Sequence, residues 1–421
     1  MKRTLFGGPG LIVIAALLWA VDGIIRRSLF SLPPIAIVFY EHLFGALLIA
    51  PFFFRKAKGE RLRKSEWGAI VWVSLLSGVL GTLWFTTALA KVNFISFSVV
   101  FLLQKLQPIF AIGTGKLFLK EKLSSRYLLW AGVALIAAYF VTFKNGIVNF
   151  ETGAGTIGAA LFAFGAAFAW GSSTAFSRYS LLKHSGTYIT GLRFFITTLL
   201  SLPLLFILSG TPSFPALDAS QLGRLVVIAL STGMVALWIY YQGLKRTQTK
   251  VATILELVFP LVAVIIDIFL YKTLLAPSQY IAAAVLLFAA YRVAKLNGAA
   301  EYRYVATVIA GRGKGKEIGF PTLNLKIPRP FSHQYGIYAG WVEIDGKKHM
   351  AAIHYGPIPV FGQKESSLEA YVLDTEIHSP PREITLFLGQ YLRDIRSFPD
   401  NRALGAQIAK DVEETRAALA G

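Results

Sequence analysis

Ten apolar stretches, near 10–27, 34–54, 66–89, 94–118, 126–143, 153–175, 187–208, 220–243, 249–271 and 277–294, decide most of what this chain can become. Each is long enough to cross a hydrocarbon layer of ~30 Å as a helix. Inside that layer every backbone N–H and C=O must find its partner within the protein, so runs of this length span as helices. At 421 residues, a hydrophobic fraction of 55% is too high for a soluble protein. The first 298 residues are therefore expected to form an all-α ten-helix transmembrane bundle. Met1-Lys2-Arg3 before an apolar run mimics a signal peptide, but no small-residue cleavage site follows, so the first helix is read as uncleaved. With no cysteine, disulfides and thiolate metal sites are excluded.

Charge is unevenly placed. Residues 1–300 hold 27 Lys/Arg against 9 Asp/Glu, a balance of +18, while residues 301–421 hold 15 against 14. The excess belongs to the apolar part, which argues for membrane topology and against a nucleic-acid partner. Placing the N-terminus inside puts most loop Lys/Arg inside too, including Arg55, Lys56, Lys58, Arg61, Arg63 and Lys64 of one loop. Ten crossings return the C-terminus to the same side. Both termini are thus expected in the cytoplasm, with the lipid bilayer of the cytoplasmic membrane around the helices.

The apolar part repeats itself at about 152 residues. Trp19 through Arg27 matches Trp170 through Arg178, Pro51 matches Pro203, Trp84 matches Trp238, Gln107-Pro108 falls on Phe259-Pro260, and Lys120 on Lys272. Five helices per copy is an odd number, so the two copies, about 9–146 and 153–295, take opposite orientations. This inverted five-plus-five pattern resembles the drug/metabolite transporter superfamily, EamA type. The resemblance implies a secondary carrier with a central site between the repeats, and a homodimer is among the arrangements it allows. Asp22, Glu41, His42, Gln104, Lys105, Gln107, Arg193, Gln242, Glu256 and Asp267 all lie inside expected spans. A charge facing lipid near the centre costs ~2.5–3.5 kcal/mol, so most should face the bundle interior or snorkel. Pro108 is expected to free the carbonyl of Gln104, and Pro260 that of Glu256, at equivalent places in the two copies. Gln104, Glu256, Asp22, Glu41 and Arg193 are the candidate transport residues. Interhelical hydrogen bonds that only hold the bundle are the plainer role for such groups. The tryptophans Trp19, Trp84, Trp170 and Trp238 suit stacking on a planar ligand, packing, or anchoring at the interface.

After Lys295 the text changes. Short segments rich in Tyr, Val and Ile at 302–309, 336–344, 349–355, 368–373 and 382–388 alternate with Gly, Pro and Asp turns, the pattern of a small antiparallel barrel. Residues 400–419 read as a closing amphipathic helix with Leu404, Ile408, Val412 and Leu419 on one face. Between the first two segments lies Gly311-Arg-Gly-Lys-Gly-Lys-Glu-Ile-Gly-Phe-Pro-Thr-Leu-Asn324. Closely spaced glycines let backbone N–H groups converge on an anion, and lysines add charge. Thr322 and Asn324, two apart on an extended segment, present oxygens on one side that suit magnesium.

That string resembles the nucleotide-binding segment of riboflavin kinases, with Leu323 where the family has Ala. The likeness continues in Tyr335-Gly-Ile-Tyr338, in Gly356-Pro-Ile-Pro-Val-Phe361, where Val360 replaces Thr, and in Leu368-Glu-Ala-Tyr-Val-Leu-Asp374. It implies a six-stranded Greek-key barrel over 299–421, nucleotide binding by Gly311, Gly313, Lys314, Gly315, Lys316, Gly319, Pro321, Thr322 and Asn324, Mg²⁺ on Thr322 and Asn324, and Glu369 as the catalytic carboxylate. Arg393 and Phe398 fall in the part that covers the flavin. His354 stands where many members carry Asn, and the usual Leu-Tyr-Gly is missing around Ser379-Pro-Pro381. Together the two resemblances imply a riboflavin transporter joined to a kinase that converts riboflavin and ATP to FMN, with no adenylyltransferase step to FAD. A carrier of another metabolite, importer or exporter, with a flavin-binding sensor domain is the alternative they leave open.

Overall fold

The computed structural model describes residues 7–91, 103, 106–147, 156–210, 212–259, 276–296, 302–311, 313–328, 331, 333–358, 363–375, 377 and 379–419. The chain divides into two compact units, Met1–Asn297 and Gly298–Gly421.

The first unit is helical: α1 (Gly8–Arg27), α2 (Pro34–Ala57), α3 (Lys64–Lys91), α4 (Gln107–Phe118), α5 (Ser125–Thr142), α6 (Thr156–Leu181), α7 (Gly186–Ser209), α8 (Ala219–Leu230), α9 (Met234–Lys245), α10 (Thr249–Leu255) and α11 (Pro277–Lys295). Starts follow local chemistry. Ser124, Ser185 and Asp218 each accept a backbone N–H of the first turn through a side-chain oxygen, and Pro34 and Pro277 open helices where no N–H is needed. Seven helices among the described residues are long and apolar enough to cross a membrane, α8 and α9 together counting as one. The expected fourth and ninth spans are described only over α4 and α10, and α11 is a helix of 19 residues with a more polar composition, so ten crossings are not established by these elements.

The core of this unit is largely apolar, and its exterior is apolar as well. Leu47, Phe52, Phe54, Leu129, Leu161, Leu199 and Ile207 point outward, while Ser172, Ser173, Ser177, Thr190, Thr197 and Arg193 are buried. An apolar exterior, with the few polar groups kept inside, is what a hydrocarbon solvent selects. Alanines at 134, 137, 138, 163, 166 and 167 are buried at helix contacts, where small side chains let backbones approach. Equivalent helices of the two copies meet: Phe53 of α2 stacks on Tyr188 of α7 at 5.3 Å, and Trp130 of α5 meets Phe288 of α11. Inside α3 the stretch Ser74–Gly81 is a π-helix, a wider turn that often marks functional positions. Glu121 accepts the backbone N–H groups of Thr249 and Lys250 at 2.7 and 3.0 Å, so a carboxylate of the first copy caps α10 of the second.

The second unit is a closed barrel of β1 (Tyr302–Ile309), β2 (Thr322–Leu325), β3 (Gly336–Ile344), β4 (Lys347–Ile358), β5 (Gln363–Val372) and β6 (Glu383–Arg393), finished by α12 (Asn401–Leu419). Its order is β1-β2-β5-β4-β3-β6, all neighbours antiparallel. β6 returns to lie beside β3 after the β3-β4-β5 meander, which is a Greek-key connection. Alternate residues Leu323, Leu325, Leu368, Ala370, Ile353 and Val342 fill the core. α12 packs outside the barrel, Val412 and Ile408 meeting Ala352, Leu373 and Tyr371. Of the apolar face expected for this helix, Val412 is buried and Ile408 and Leu404 are half-buried.

Candidate functional site

In the barrel, the period of two that sends Leu323 and Leu325 inward sends Thr322 and Asn324 outward. Register then assembles a row: Asn324 opposes Glu369 on β5, Glu369 opposes His354 on β4, His354 opposes Ile337 on β3, and Ile337 opposes Arg393 on β6. Thr322 Oγ1 donates to Glu369 Oε2 at 3.1 Å. Burial raises the Glu369 carboxyl above its ordinary range, although hydrogen bonds from Thr322 and Ser367 pull the other way. Burial, partly offset by a hydrogen bond with the Pro357 backbone and helped by the charge of Arg393, takes His354 down to about 4, so this imidazole is neutral at pH 7. Arg393 is fixed in turn by Asp411 of α12, its Nε donating to Oδ1 at 2.7 Å, and its guanidinium lies 6.0 Å from the ring centre of Phe398.

The glycine-rich segment backs directly onto this row. A Cβ at Gly311 would fall 2.1 Å from Asn324 Nδ2, and one at Gly315 would fall 2.5 Å from Phe320 O and 3.3 Å from Thr322 Oγ1. Gly313 and Gly319 take φ of +72° and +84°, so they form the turns around the short helix Lys314–Glu317. Lys316, Gly319 and Pro321 are exposed. Arg312 and residues 359–362, which include Val360 and Phe361, lie outside the described residues. Thr322, Asn324 and Glu369 together offer hydroxyl, amide and carboxylate oxygens on one face, a donor set that fits Mg²⁺. Among the described residues no group of three His, Cys, Asp or Glu gathers elsewhere as a rival metal site. When bound, the cation would neutralise phosphate charge.

Among the described residues, the candidate transport residues of the membrane unit fall in three separate polar networks. Arg26 Nε donates to Asp22 Oδ2 at 2.7 Å, and Arg26 Nη2 donates to Glu41 Oε2 at 2.8 Å, while Thr232 donates to Asp22 at 2.6 Å. The structure thus brings Asp22 and Glu41 together around an arginine that the sequence reading missed; its i+4 spacing from Asp22 was the available signal. Arg193 belongs to a second network, donating to Tyr241 OH at 2.8 Å and to Ser77 Oγ at 2.7 Å. The third is Glu256, which opens the 3-10 turn Glu256–Val258 after α10. Gln107 Nε2 donates to its Oε2 at 2.8 Å and Tyr240 OH to its Oε1 at 2.7 Å. Gln104, Lys105, Pro260, Asp267 and Lys272 lie outside the described residues, and Pro108 sits in the first turn of α4 rather than inside a helix. Of the tryptophans, Trp170 donates to Ser77 O, and Trp19 lies 5.1 Å from the ring of Tyr240.

A helical unit with an apolar exterior and buried ion pairs marks a membrane protein, and the barrel joined to it adds a threonine–carboxylate site behind a glycine–lysine loop. The pattern of the EamA-like transporter family matches residues 7–143 and again 157–294, and that of riboflavin kinase matches residues 299–419. The chain belongs to the EamA-like transporter family and has a riboflavin kinase domain at its C-terminus. It is 36% identical over 293 residues to the riboflavin transporter ImpX of Fusobacterium nucleatum, covering 69% of this chain and 98% of that one. It is 35% identical over 124 residues to a bifunctional riboflavin kinase/FMN adenylyltransferase of Listeria monocytogenes, covering 28% of this chain and 38% of that relative. A solved crystal structure shares the fold over 69% of this chain and 96% of its own, at TM-score 0.55 and 17% identity.

Proposed function

We propose that this protein carries riboflavin across the cytoplasmic membrane and phosphorylates it to FMN on arrival. The observation that carries the reading is the presence on one chain of a carrier similar to a named riboflavin transporter and a barrel whose Glu369, Thr322 and Asn324 stand together. In the barrel, the glycine–lysine loop holds the phosphates of ATP, with Mg²⁺ on Thr322 and Asn324, and Glu369 takes the proton of the riboflavin 5′-hydroxyl. Neutral His354 adds no charge beside that carboxylate, and Arg393 with Phe398 borders the flavin. In the carrier, the Asp22–Arg26–Glu41 group, Arg193 and Glu256 belong to the translocation path. Riboflavin is nearly uncharged, whereas a phosphomonoester carries about −1.5 to −2 charges, so phosphorylation traps the product and keeps the inward gradient steep.

The test is a time course of labelled flavin in cells lacking other flavin kinase activity and kept on an alternative FMN supply. With Glu369→Gln the initial rate should persist while the plateau falls. An unchanged plateau with no FMN made would remove the kinase from accumulation and favour a sensor role for the barrel. The orientation rests on the Lys/Arg asymmetry; a tag after Gly421 should be inaccessible in intact cells, and an accessible one would overturn it.

A further inference from the structure

Glu256 is held in an uncommon way. Among the described residues no Lys, Arg or His pairs with it, and its two oxygens are occupied by two neutral donors, Gln107 Nε2 and Tyr240 OH. The three groups read donor, acceptor, donor. Gln107 comes from α4 of the first copy; Tyr240 and Glu256 come from the second, so the row spans the two repeats. Trp19 closes on Tyr240 with ring centres 5.1 Å apart, giving the row an aromatic neighbour. Gln107 and Glu256 are half-buried, unlike the fully enclosed Tyr127 or Tyr241.

We propose that this row reads a cyclic imide edge, an N–H flanked by two carbonyls, and so recognises the pyrimidine side of the flavin ring. This rests on the riboflavin reading above. The imide N–H donates to the Glu256 carboxylate, and the two carbonyls accept from Gln107 and Tyr240 as those donors leave Glu256. Every group released by ligand entry is taken up again, which a buried polar site requires. An ammonium ligand would satisfy Glu256 and strand both donors. A carboxylate ligand would be repelled. A lone hydroxyl cannot meet all three. Because the row joins the two repeats, the ligand bridges the surfaces that move in alternating access.

The test uses the full chain in proteoliposomes without ATP, following labelled riboflavin. Riboflavin methylated at N3 should compete about 10²-fold more weakly than riboflavin, since it lacks the donor and places a methyl against the carboxylate. Lumiflavin, which keeps the edge and lacks the ribityl chain, should compete; ribitol should not. Tyr240→Phe should raise KM for uptake about tenfold while FMN formation by the same protein in detergent with ATP, where no transport is needed, is unchanged, showing that the chain is folded. Equal competition by N3-methylriboflavin would overturn the proposal and leave the riboflavin reading standing. No uptake of riboflavin by the wild-type protein would overturn both.

Discussion

Gly311→Ala separates the chemistry of the barrel from its stability. A methyl at Gly311 would lie 2.1 Å from Asn324 Nδ2 and 2.7 Å from Cγ, where ordinary contact begins at 3.4 Å. The Asn324 amide must therefore retreat by more than 1 Å. It sits at the free end of a short side chain on the outer face of β2, so the backbone has no need to move, and stability should change by less than about 1 kcal/mol. Function should not be spared. A displacement of about 1 Å in a positioning group is worth on the order of 10²-fold in rate. The expected result is a fall of about 10² in kcat/KM for FMN formation, with a raised Mg²⁺ requirement and riboflavin binding retained. Gly313→Ala is the matched control. A Cβ there meets open space, but φ is +72°, so the cost is conformational, about 1–2 kcal/mol. The assay is FMN formation by the detergent-solubilised chain across a Mg²⁺ titration, with flavin fluorescence reporting binding. Wild-type Mg²⁺ dependence in Gly311→Ala would refute the placement of Asn324 at the metal.

Glu369→Gln should lower turnover by about 10²–10⁴-fold with riboflavin binding kept, as judged by the same two measurements. Because burial raises the Glu369 carboxyl, and the base must be ionised, the wild-type rate should fall on acidification at a pH above that of an exposed glutamate; a pH–rate profile checks this. Asp411→Ala frees Arg393 from its partner and should weaken riboflavin binding by several-fold in fluorescence titrations, because a buried guanidinium left unpaired no longer holds its position. In the loops of the membrane unit, burial disfavours charge on His184, but hydrogen bonds from its ring to Glu60 and Glu66 outweigh this and lift it to about 9. A raised base stabilises the fold fully below its unfolded value near 6.5 and loses that contribution as pH rises through about 9. The apparent melting temperature should therefore decline over that interval, and His184→Gln should flatten the decline.

The sequence alone determined the division of the chain, the helical character of the apolar part, the repeat and the turn-forming backbone of the glycine–lysine segment. Each of these is written in local patterns, in apolar runs, in spacing and in glycine placement, which physical constraints on the backbone make legible. The strand β2 escaped the pattern reading because four residues between Pro321 and Lys326 carry too little alternation to register alone; pairing with β1 and β5 creates it. Glu369 as catalytic carboxylate and Thr322 as metal ligand were legible only through resemblance, since 47 residues separate them and the pairing of β2 with β5 is what brings them to 3.1 Å. In the membrane unit the residue types were visible but their partners were not. Asp22 and Glu41 share Arg26, Arg193 instead faces Tyr241 and Ser77, and Glu256 meets Gln107 from the other repeat. Such partnerships were decided only by tertiary structure, because a buried polar group takes whichever donor or acceptor the packing of other helices delivers, and no local pattern records which helix that is.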